Sequence, residues 1–396
     1  MKTLKNILAT VSVVVFMLLA FVRCSNWTEV EALQYERSLT ESSHGDANSA
    51  YYRNLRAYKA SKNHTICFGW FSDWTGTGSG LGGKLMGMPD SIDFVSMWGN
   101  WYGLSEDKKE DLRRVQEIKG TRVLMCFIVD NIGVQTTPAE VRNDWIVDGV
   151  QYPSFEDAMR AYWGWYSRGS LYDAPVDAAD SAAMDAAIRK YAHSIIDTID
   201  KYHWDGFDMD LEPGYGHMGN ISQHPYRVNI FIDELSKYMG PASGTNRLLA
   251  VDGEPYYLSQ ETAPKVDYYL LQAYGDQNYS TTDNRLNRLF NAFEPTMTRE
   301  EIVSRTVLTS NFESYASTGG AASKDWRDQN KMIYYTKRDG TEDKQIYAYA
   351  TYTYPGVEAR IGGFGAFRFG FDYSNGNNYG YMRQGIQLAN PAVEIE

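Results

Sequence analysis

From residue 64 onward, short apolar runs recur along the chain, most of them bounded by Gly, Pro, Asp or Asn. They are Ile66–Phe71, Ile92–Trp98, Arg122–Val129, Gly206–Glu212, Leu248–Gly253, Asp267–Tyr274, Thr306–Asn311 and Gly363–Gly370. Runs of this length between turn formers predict strands. Where the gaps are long enough they carry helix-like sequence. The clearest is Ala182–Tyr202, where Ile188, Tyr191, Ala192, Ile195, Ile196 and Ile199 follow the spacing of one buried helical face. Asp107–Lys119, Tyr226–Tyr238 and Asp283–Phe293 are further helix candidates. Strands alternating with helices predict a parallel sheet with crossover connections. The pattern fits an α/β fold of the closed (β/α)8 TIM-barrel type, a single catalytic domain over residues 63–392. A doubly wound open sheet is the other architecture that accommodates it.

Two connections are too long for simple crossovers, the one between the third and fourth strands and the one between the seventh and eighth. In a barrel, elaborated loops after strands build the catalytic face. The first insertion carries Tyr152, Phe155, Tyr162, Trp163, Trp165 and Tyr166. These aromatics suit a wall for a sugar chain, and they equally suit packing of the insertion onto the barrel.

Residues 24–62 are polar, with a short helix expected around Ala50–Lys59, and read as a spacer and lead-in helix. Ahead of them, Lys2 and Lys5 precede an apolar run from Ile7 to Val22, interrupted by Thr10 and Ser12. A basic start, a run of that length and polar sequence directly after it predict a signal peptide over residues 1–23. Cys24 stands where a bacterial lipoprotein carries its lipidated cysteine, although Arg23 replaces the small residue usual before it. The expectation is an exported protein, an outer-membrane or cell-surface lipoprotein if Cys24 is lipidated and periplasmic or secreted otherwise. Membrane attachment would then run only through that lipid.

Composition narrows the function classes. The net charge of -12 argues against nucleic acid, whose phosphates need basic patches. Thirty Tyr and ten Trp suit sugar recognition as well as a large core. Three cysteines in a chain of this size exclude a disulfide scaffold, and Cys67 and Cys126, inside apolar runs, read as small buried hydrophobes. A monomer is expected. Gly78, Gly80 and Gly83 form a GxGxxG, but the next strand begins too soon for the crossover helix that a dinucleotide site requires.

The segment Asp205-Gly206-Phe207-Asp208-Met209-Asp210-Leu211-Glu212-Pro213 concentrates the candidate chemistry. Alternation along a strand puts Asp208, Asp210 and Glu212 on one face and Phe207, Met209 and Leu211 on the other. The apolar set can pack on the helices, leaving three acids in a row inside the barrel, with neighbours roughly 6.5–7 Å apart at Cα. Such acids cannot all ionise, so at least one should keep a proton near neutral pH. Glu212 is nearest the carboxyl end, where barrel sites open, and a protonated Glu there suits cleavage of an acetal. A solvated strand end and a metal site are the competing readings. His217 is close, but no metal-ligand spacing exists among the six histidines, and no metal or cofactor is expected. Asp205 has the parity of Phe207 and is given no chemical role.

This segment resembles the DGxDxDxE signature of glycoside hydrolase family 18, (β/α)8 barrels that carry it on the fourth strand, as here. The resemblance implies retaining, substrate-assisted hydrolysis, in which the sugar's own 2-acetamido oxygen attacks the anomeric carbon and no enzyme nucleophile is needed. It makes Glu212 the general acid and then base, Asp210 the group that orients and stabilises the acetamide, and Asp208 the residue behind Asp210. On the sixth strand Gln272 and Tyr274 share the inward parity, and in the family a tyrosine here hydrogen-bonds the acetamide carbonyl. Gln272-Ala273-Tyr274-Gly275 resembles the endo-β-N-acetylglucosaminidases that cut between the two core GlcNAc units of N-glycans more than the Met-x-Tyr-Asp of chitinases. The eighth strand lacks the Trp that chitinases place under the reacting sugar. Its Gly362-Gly363-Phe364-Gly365 start resembles family 18 proteins of Bacteroidetes-type glycan-scavenging bacteria.

The implied partner is a glycan containing N-acetylglucosamine. A chitinase acting on chitin oligomers is the alternative, as is a non-catalytic glycan-binding member, which the intact Glu212 disfavours. Trp70, Trp74, Trp98 and Trp101 lie at or past the ends of the first two strands and are candidates for stacking on sugar or for packing. Glu254 after the fifth strand, and Asn311 and Glu313 at the seventh, are further substrate-contact candidates. Arg368 reads either as a site residue or as a structural ion pair.

Overall fold

The computed structural model describes residues 47–61, 63–78, 80–165, 177–215 and 218–391. The predicted signal peptide, Cys24, Tyr166 and His217 lie outside the described residues. The chain divides into two compact units, residues 1–53 and 54–396. A helix runs over Ala50–Ala60, where the lead-in helix was expected.

The second unit is a closed barrel of parallel strands: β1 (Ile66–Phe71), β2 (Phe94–Trp98), β3 (Arg122–Ile128), β4 (Gly206–Leu211), β5 (Leu248–Gly253), β6 (Tyr268–Leu271), β7 (Thr306–Asn311) and β8 (Gly363–Phe367). Each pairs with its sequence neighbour, and β8 closes the ring onto β1. The open-sheet alternative is thereby excluded. Residues of one parity fill the barrel, among them Phe68, Trp70, Phe94, Leu124, Cys126, Ala250, Leu270 and Val307. Residues of the other parity, such as Val95, Met125, Phe207, Met209 and Val251, form the shell under the helices.

The helices follow their local signals. Asp177 caps Ala178–Tyr202 by accepting the Asp180 N–H at 2.9 Å, and the helix ends on His203 in the left-handed region. Its buried residues include the Ile188, Tyr191, Ala192, Ile195, Ile196 and Ile199 stripe. Ser105 caps Glu106–Arg114, which continues as a π-helical turn to Lys119 and stops at Gly120, φ 66°. Pro225–Leu235 and Tyr279–Phe293 complete the expected set.

Four strands end earlier than their apolar runs suggest, β3 by one residue at Ile128. β8 stops at Phe367 because Arg368 turns left-handed, φ 49°. β4 stops at Leu211, before the Pro213-Gly214 turn. β6 stops at Leu271, where the Ala273 N–H folds back to the Leu271 carbonyl at 2.8 Å.

The long insertions hold small antiparallel pairs and short helices, including Phe155–Trp163 in the first and Gln345–Ala350 in the second. The first insertion's aromatics serve packing. Trp163 and Trp165 are buried, and Tyr152, Phe155 and Tyr162 pack partly buried against the shell. No described helix is long and apolar enough to cross a membrane.

Candidate active site

β4 must start in close contact with β5. A Cβ on Gly206 would sit 2.0 Å from the Leu248 carbonyl oxygen, so only glycine fits before the acids. Asp205, just ahead, accepts the Val123 N–H and the Gln116 side-chain amide, each at 2.8 Å, and ties the strand's base to β3. Beyond Gly206, Asp208 and Asp210 point into the barrel and are buried. Glu212 emerges half-buried at the carboxyl end.

The row is not alone. Asp252, on β5, is the register partner of Asp210 and is buried as deeply. Gln272 Nε2 donates to Asp252 Oδ1 at 2.8 Å and also reaches Glu212. The Cys126 thiol of β3 donates weakly to Asp252 Oδ2 at 3.8 Å. Trp70 Nε1 donates to Asp208 Oδ2 at 3.1 Å. The Ser96 hydroxyl lies beside Asp208, while Asp210 Oδ1 meets no protein N–H or hydroxyl donor among the described residues.

Burial and mutual repulsion raise every carboxyl in this group. Asp208 is pushed up by desolvation, which its neighbours Ser96, Cys126, Asp252 and Trp70 partly offset. Asp210 is pushed up by desolvation and then by the charge of Glu212, and Asp252 by desolvation and the two aspartates. Glu212 is raised by partial burial and the nearby Glu254, while its Gln272 hydrogen bond opposes the rise. The protons therefore belong to the group as a whole. Tyr274, raised well above the ordinary tyrosine range by burial and these acids, remains a hydroxyl donor.

Cys126, Asp208 and Asp252 offer ligand atoms within 4.8 Å of one another. Two of the three already accept side-chain N–H bonds, and their raised carboxyls favour the neutral form that ligates a metal poorly. The arrangement suits proton sharing better than metal binding.

Around the acids stands a ring of aromatics at the barrel mouth. Phe367, the last residue of β8, lies 5.9 Å from the Tyr274 ring, 6.0 Å from Trp98 and 6.2 Å from Trp70, between ring centroids. Gln272 and Tyr274 both face this space although β6 has already ended. Their backbone is gripped from outside: Tyr349 donates its hydroxyl to the Ala273 carbonyl at 2.7 Å, and Gln345 Nε2 reaches the Ala273 and Asp276 carbonyls at 3.2 and 2.6 Å.

The other sequence candidates fall into three places. Trp98 and Glu254 are half-buried near the mouth, and Glu254 accepts the Tyr256 hydroxyl. Asn311 ends β7, where its side-chain oxygen caps a short helix by accepting the Ser314 N–H at 3.0 Å. Trp70, Trp74 and Trp101 are corrections to the stacking expectation. Trp70 is 1% exposed and serves Asp208, and Trp74 donates to Asp111 at 2.8 Å in the outer shell. Trp101 is buried against Phe127, on the helix side of the sheet. Arg368 takes the structural alternative, pairing with Glu313 at 2.6 Å and Asp73 at 2.9 Å across the loops after β7 and β1.

Three residues were missed by the sequence reading. Asp252 and Cys126 have the inward parity of their strands, a signal available in Leu248–Gly253 and Arg122–Ile128 but masked by their apolar context. Phe367 shares the inward parity of Gly363 and Gly365 on β8. Those glycines are needed because a Cβ on Gly365 would lie 2.4 Å from the Phe68 carbonyl oxygen.

An acid at the mouth, a buried acid beside it, a tyrosine hydroxyl and an aromatic surface can together protonate a leaving oxygen and orient an amide-bearing substrate. Comparison with known proteins agrees with that chemistry. The family model for glycoside hydrolase family 18, BT1044-like, matches residues 28–388. The chain is similar to a solved structure of BT1044, a selenomethionine-labelled Glu-to-Gln variant, with 31% identity and a TM-score of 0.67 over 86% of this chain and 92% of that one. It is 24% identical to endo-beta-N-acetylglucosaminidase F2 of Elizabethkingia meningoseptica over 297 residues, 71% of each chain. It also shares the fold of an endo-beta-N-acetylglucosaminidase from Cordyceps militaris solved with fucosyl-N-acetylglucosamine-Asn. That likeness has 18% identity and a TM-score of 0.52, over 89% of this chain and 99% of that one.

Proposed function

The chain belongs to glycoside hydrolase family 18, in its BT1044-like group, and we propose that it is a retaining, substrate-assisted endo-β-N-acetylglucosaminidase acting on the chitobiose core of N-glycans. The observation that carries this reading is Gln272, whose amide joins Glu212 to Asp252 beside the Tyr274 hydroxyl. Glu212, Gln272 and Tyr274 converge on the space an N-acetylglucosamine would occupy, with Asp252 buried behind them.

Glu212, whose carboxyl is raised by partial burial and the Glu254 charge, donates its proton to the glycosidic oxygen as the bond to the anomeric carbon breaks. The acetamide oxygen of the same sugar attacks that carbon from the opposite face and forms an oxazolinium. Asp210 accepts the acetamide N–H and stabilises the positive charge, with Asp208 behind it. Tyr274 donates to the acetamide carbonyl and fixes it for attack. Water then opens the ring with Glu212 as base, and the configuration is retained. Phe367 and Trp98 supply an apolar surface under the sugar.

The endo-β-N-acetylglucosaminidase name of the F2 relative supports endo-cleavage at N-acetylglucosamine. The basic and apolar N-terminal residues and Cys24 support export, with lipid attachment at that cysteine.

Incubation with a high-mannose glycoprotein, a complex-type glycoprotein and chitin oligomers, followed by mass spectrometry, tests the assignment. Release of glycans that leave one N-acetylglucosamine on the protein is the expected result. Cleavage of chitin oligomers alone, or tight binding with no product, would overturn it.

A further inference from the structure

The proposed chemistry leaves one deeply buried acid without a task. Asp252 is 1% exposed, and the strand pairing sets it directly opposite Asp210. The groups facing its pocket are Asp208 and Asp210 on β4, Cys126 on β3, and Gln272 and Tyr274 after β6. Nearer the mouth come Glu212, Glu254 and Asp130, while Ser96 and Trp70 close the floor beside Asp208. β6 and β7 turn Leu270 and Val307 inward. Among these groups none is cationic, so no ion pair offsets the burial of three adjoining aspartates. Carboxyls in contact without a cation must share protons.

Their hydrogen bonds distinguish the three. Asp208 accepts an indole N–H, which favours a charged oxygen. Asp210 adjoins Glu212, the group expected to exchange protons during turnover. Asp252 accepts an amide N–H on Oδ1, meets the Cys126 thiol at 3.8 Å on Oδ2, and adjoins the carboxyls of both Asp208 and Asp210. A carboxylic acid bonded in this way has one hydroxyl to give; Asp208 already accepts the Trp70 indole, whereas Asp210, its register partner, has an oxygen that meets no N–H or hydroxyl donor among the described residues. The close backbone supports that approach: Gly253, at φ 78°, has no side chain, and a Cβ there would lie 2.9 Å from Asp210 Oδ1.

We propose that Asp252 is the member of this group that stays protonated throughout turnover, donating to Asp210 and accepting from Gln272, and so acts as a positioning residue for both. The proposal rests on the substrate-assisted reading of the site. Desolvation and the two neighbouring aspartates, which push its carboxyl well above the ordinary range, support it. The neutral acid would hold the Asp210 carboxylate and the Gln272 amide at fixed spacing without adding a third charge to the pocket.

Asp252→Asn copies the neutral acid, with one donor and one acceptor, whereas Asp252→Leu removes both bonds. On the high-mannose glycoprotein, Asp252→Asn should keep kcat/KM within about threefold and leave both limbs of the pH profile in place. Asp252→Leu should lower kcat about ten- to hundred-fold, the scale of losing a hydrogen bond to a charged group. Infrared difference spectra of wild type minus Asp252→Asn should show a protonated-carboxyl stretch that persists from about pH 5 to about pH 8. A band that titrates within that range would overturn the proposal. So would an Asn variant whose limbs move by more than about half a pH unit, or a Leu variant at the wild-type rate. The infrared band decides the state of Asp252 even if the wild type cleaves none of the substrates, so the two readings fail separately.

Discussion

The Trp70 indole donates to Asp208 Oδ2 over 3.1 Å inside the barrel, tying β1 to β4 where the carboxylate row begins. Removing that donor while keeping an aromatic ring, as in Trp70→Phe, should lower kcat about tenfold and leave KM within about twofold. A sugar platform would behave in the opposite way, raising KM at constant kcat. Steady-state kinetics on a glycoprotein substrate separate the two.

Glu212→Gln should lower kcat by about two orders of magnitude or more, the usual scale for losing a general acid. Burial and the Glu254 charge hold the Glu212 carboxyl above its ordinary range, so activity should fall as pH rises through that raised value. Glu254→Gln removes a like charge. It should move the alkaline limb to lower pH by up to about half a unit, read from a pH–rate profile.

Phe367 touches Trp70, Trp98 and Tyr274 at the mouth without hydrogen-bonding any acid. Phe367→Ala should therefore act mainly on binding, raising KM about tenfold, whereas Phe367→Tyr should stay near wild type. A loss confined to kcat would mean that the ring positions Tyr274 instead of supporting the sugar.

The barrel and the acid row were legible because both depend on strict alternation. Apolar runs of strand length recur between turn residues, and Asp208, Asp210 and Glu212 share a parity that no other strand fold of that segment could hide. What escaped depended on neighbours in space. Asp252 reads as one polar residue ending an apolar strand, and only pairing with β4 reveals it opposite Asp210. The Trp70, Trp74 and Trp101 rings lie near strand ends in sequence, but the side of the sheet and depth of burial decide their roles. The early end of β6 was also illegible, because the bonds that stabilise it come from Gln345 and Tyr349, over seventy residues away.

Gln345 is buried and binds the Ala273 and Asp276 carbonyls with its amide nitrogen, while its oxygen accepts the Ala321 N–H. Gln345→Leu would take this partner from the Asp276 carbonyl and the Ala321 N–H, at a cost of about 1–3 kcal/mol for each buried group, while the Ala273 carbonyl keeps its Tyr349 bond. It should lower the unfolding midpoint and, by freeing the backbone of Tyr274, lower kcat more than it raises KM. Gln345→Glu, which keeps the acceptor, should restore the Ala321 contact but not the two carbonyl bonds. Chemical denaturation and kinetics on the same preparations test both effects.

The buried aspartates also tie stability to pH. In the unfolded chain Asp252 titrates near its ordinary value of 3.8, whereas in the fold desolvation, Asp210 and Asp208 raise it well above. Between those two values the native state binds the extra proton, so wild-type stability from this residue falls as pH rises. Asp252→Asn cannot ionise in either state. Relative to wild type it should be close to neutral below about pH 4 and increasingly stabilised above it, by at most ~1.4 kcal/mol per pH unit. The rise should be shallower than that limit, because removing one acid also lowers the pull on Asp208 and Asp210. Urea unfolding at a series of pH values measures the difference directly. A difference that stays flat with pH would mean that Asp252 is ionised in the folded protein.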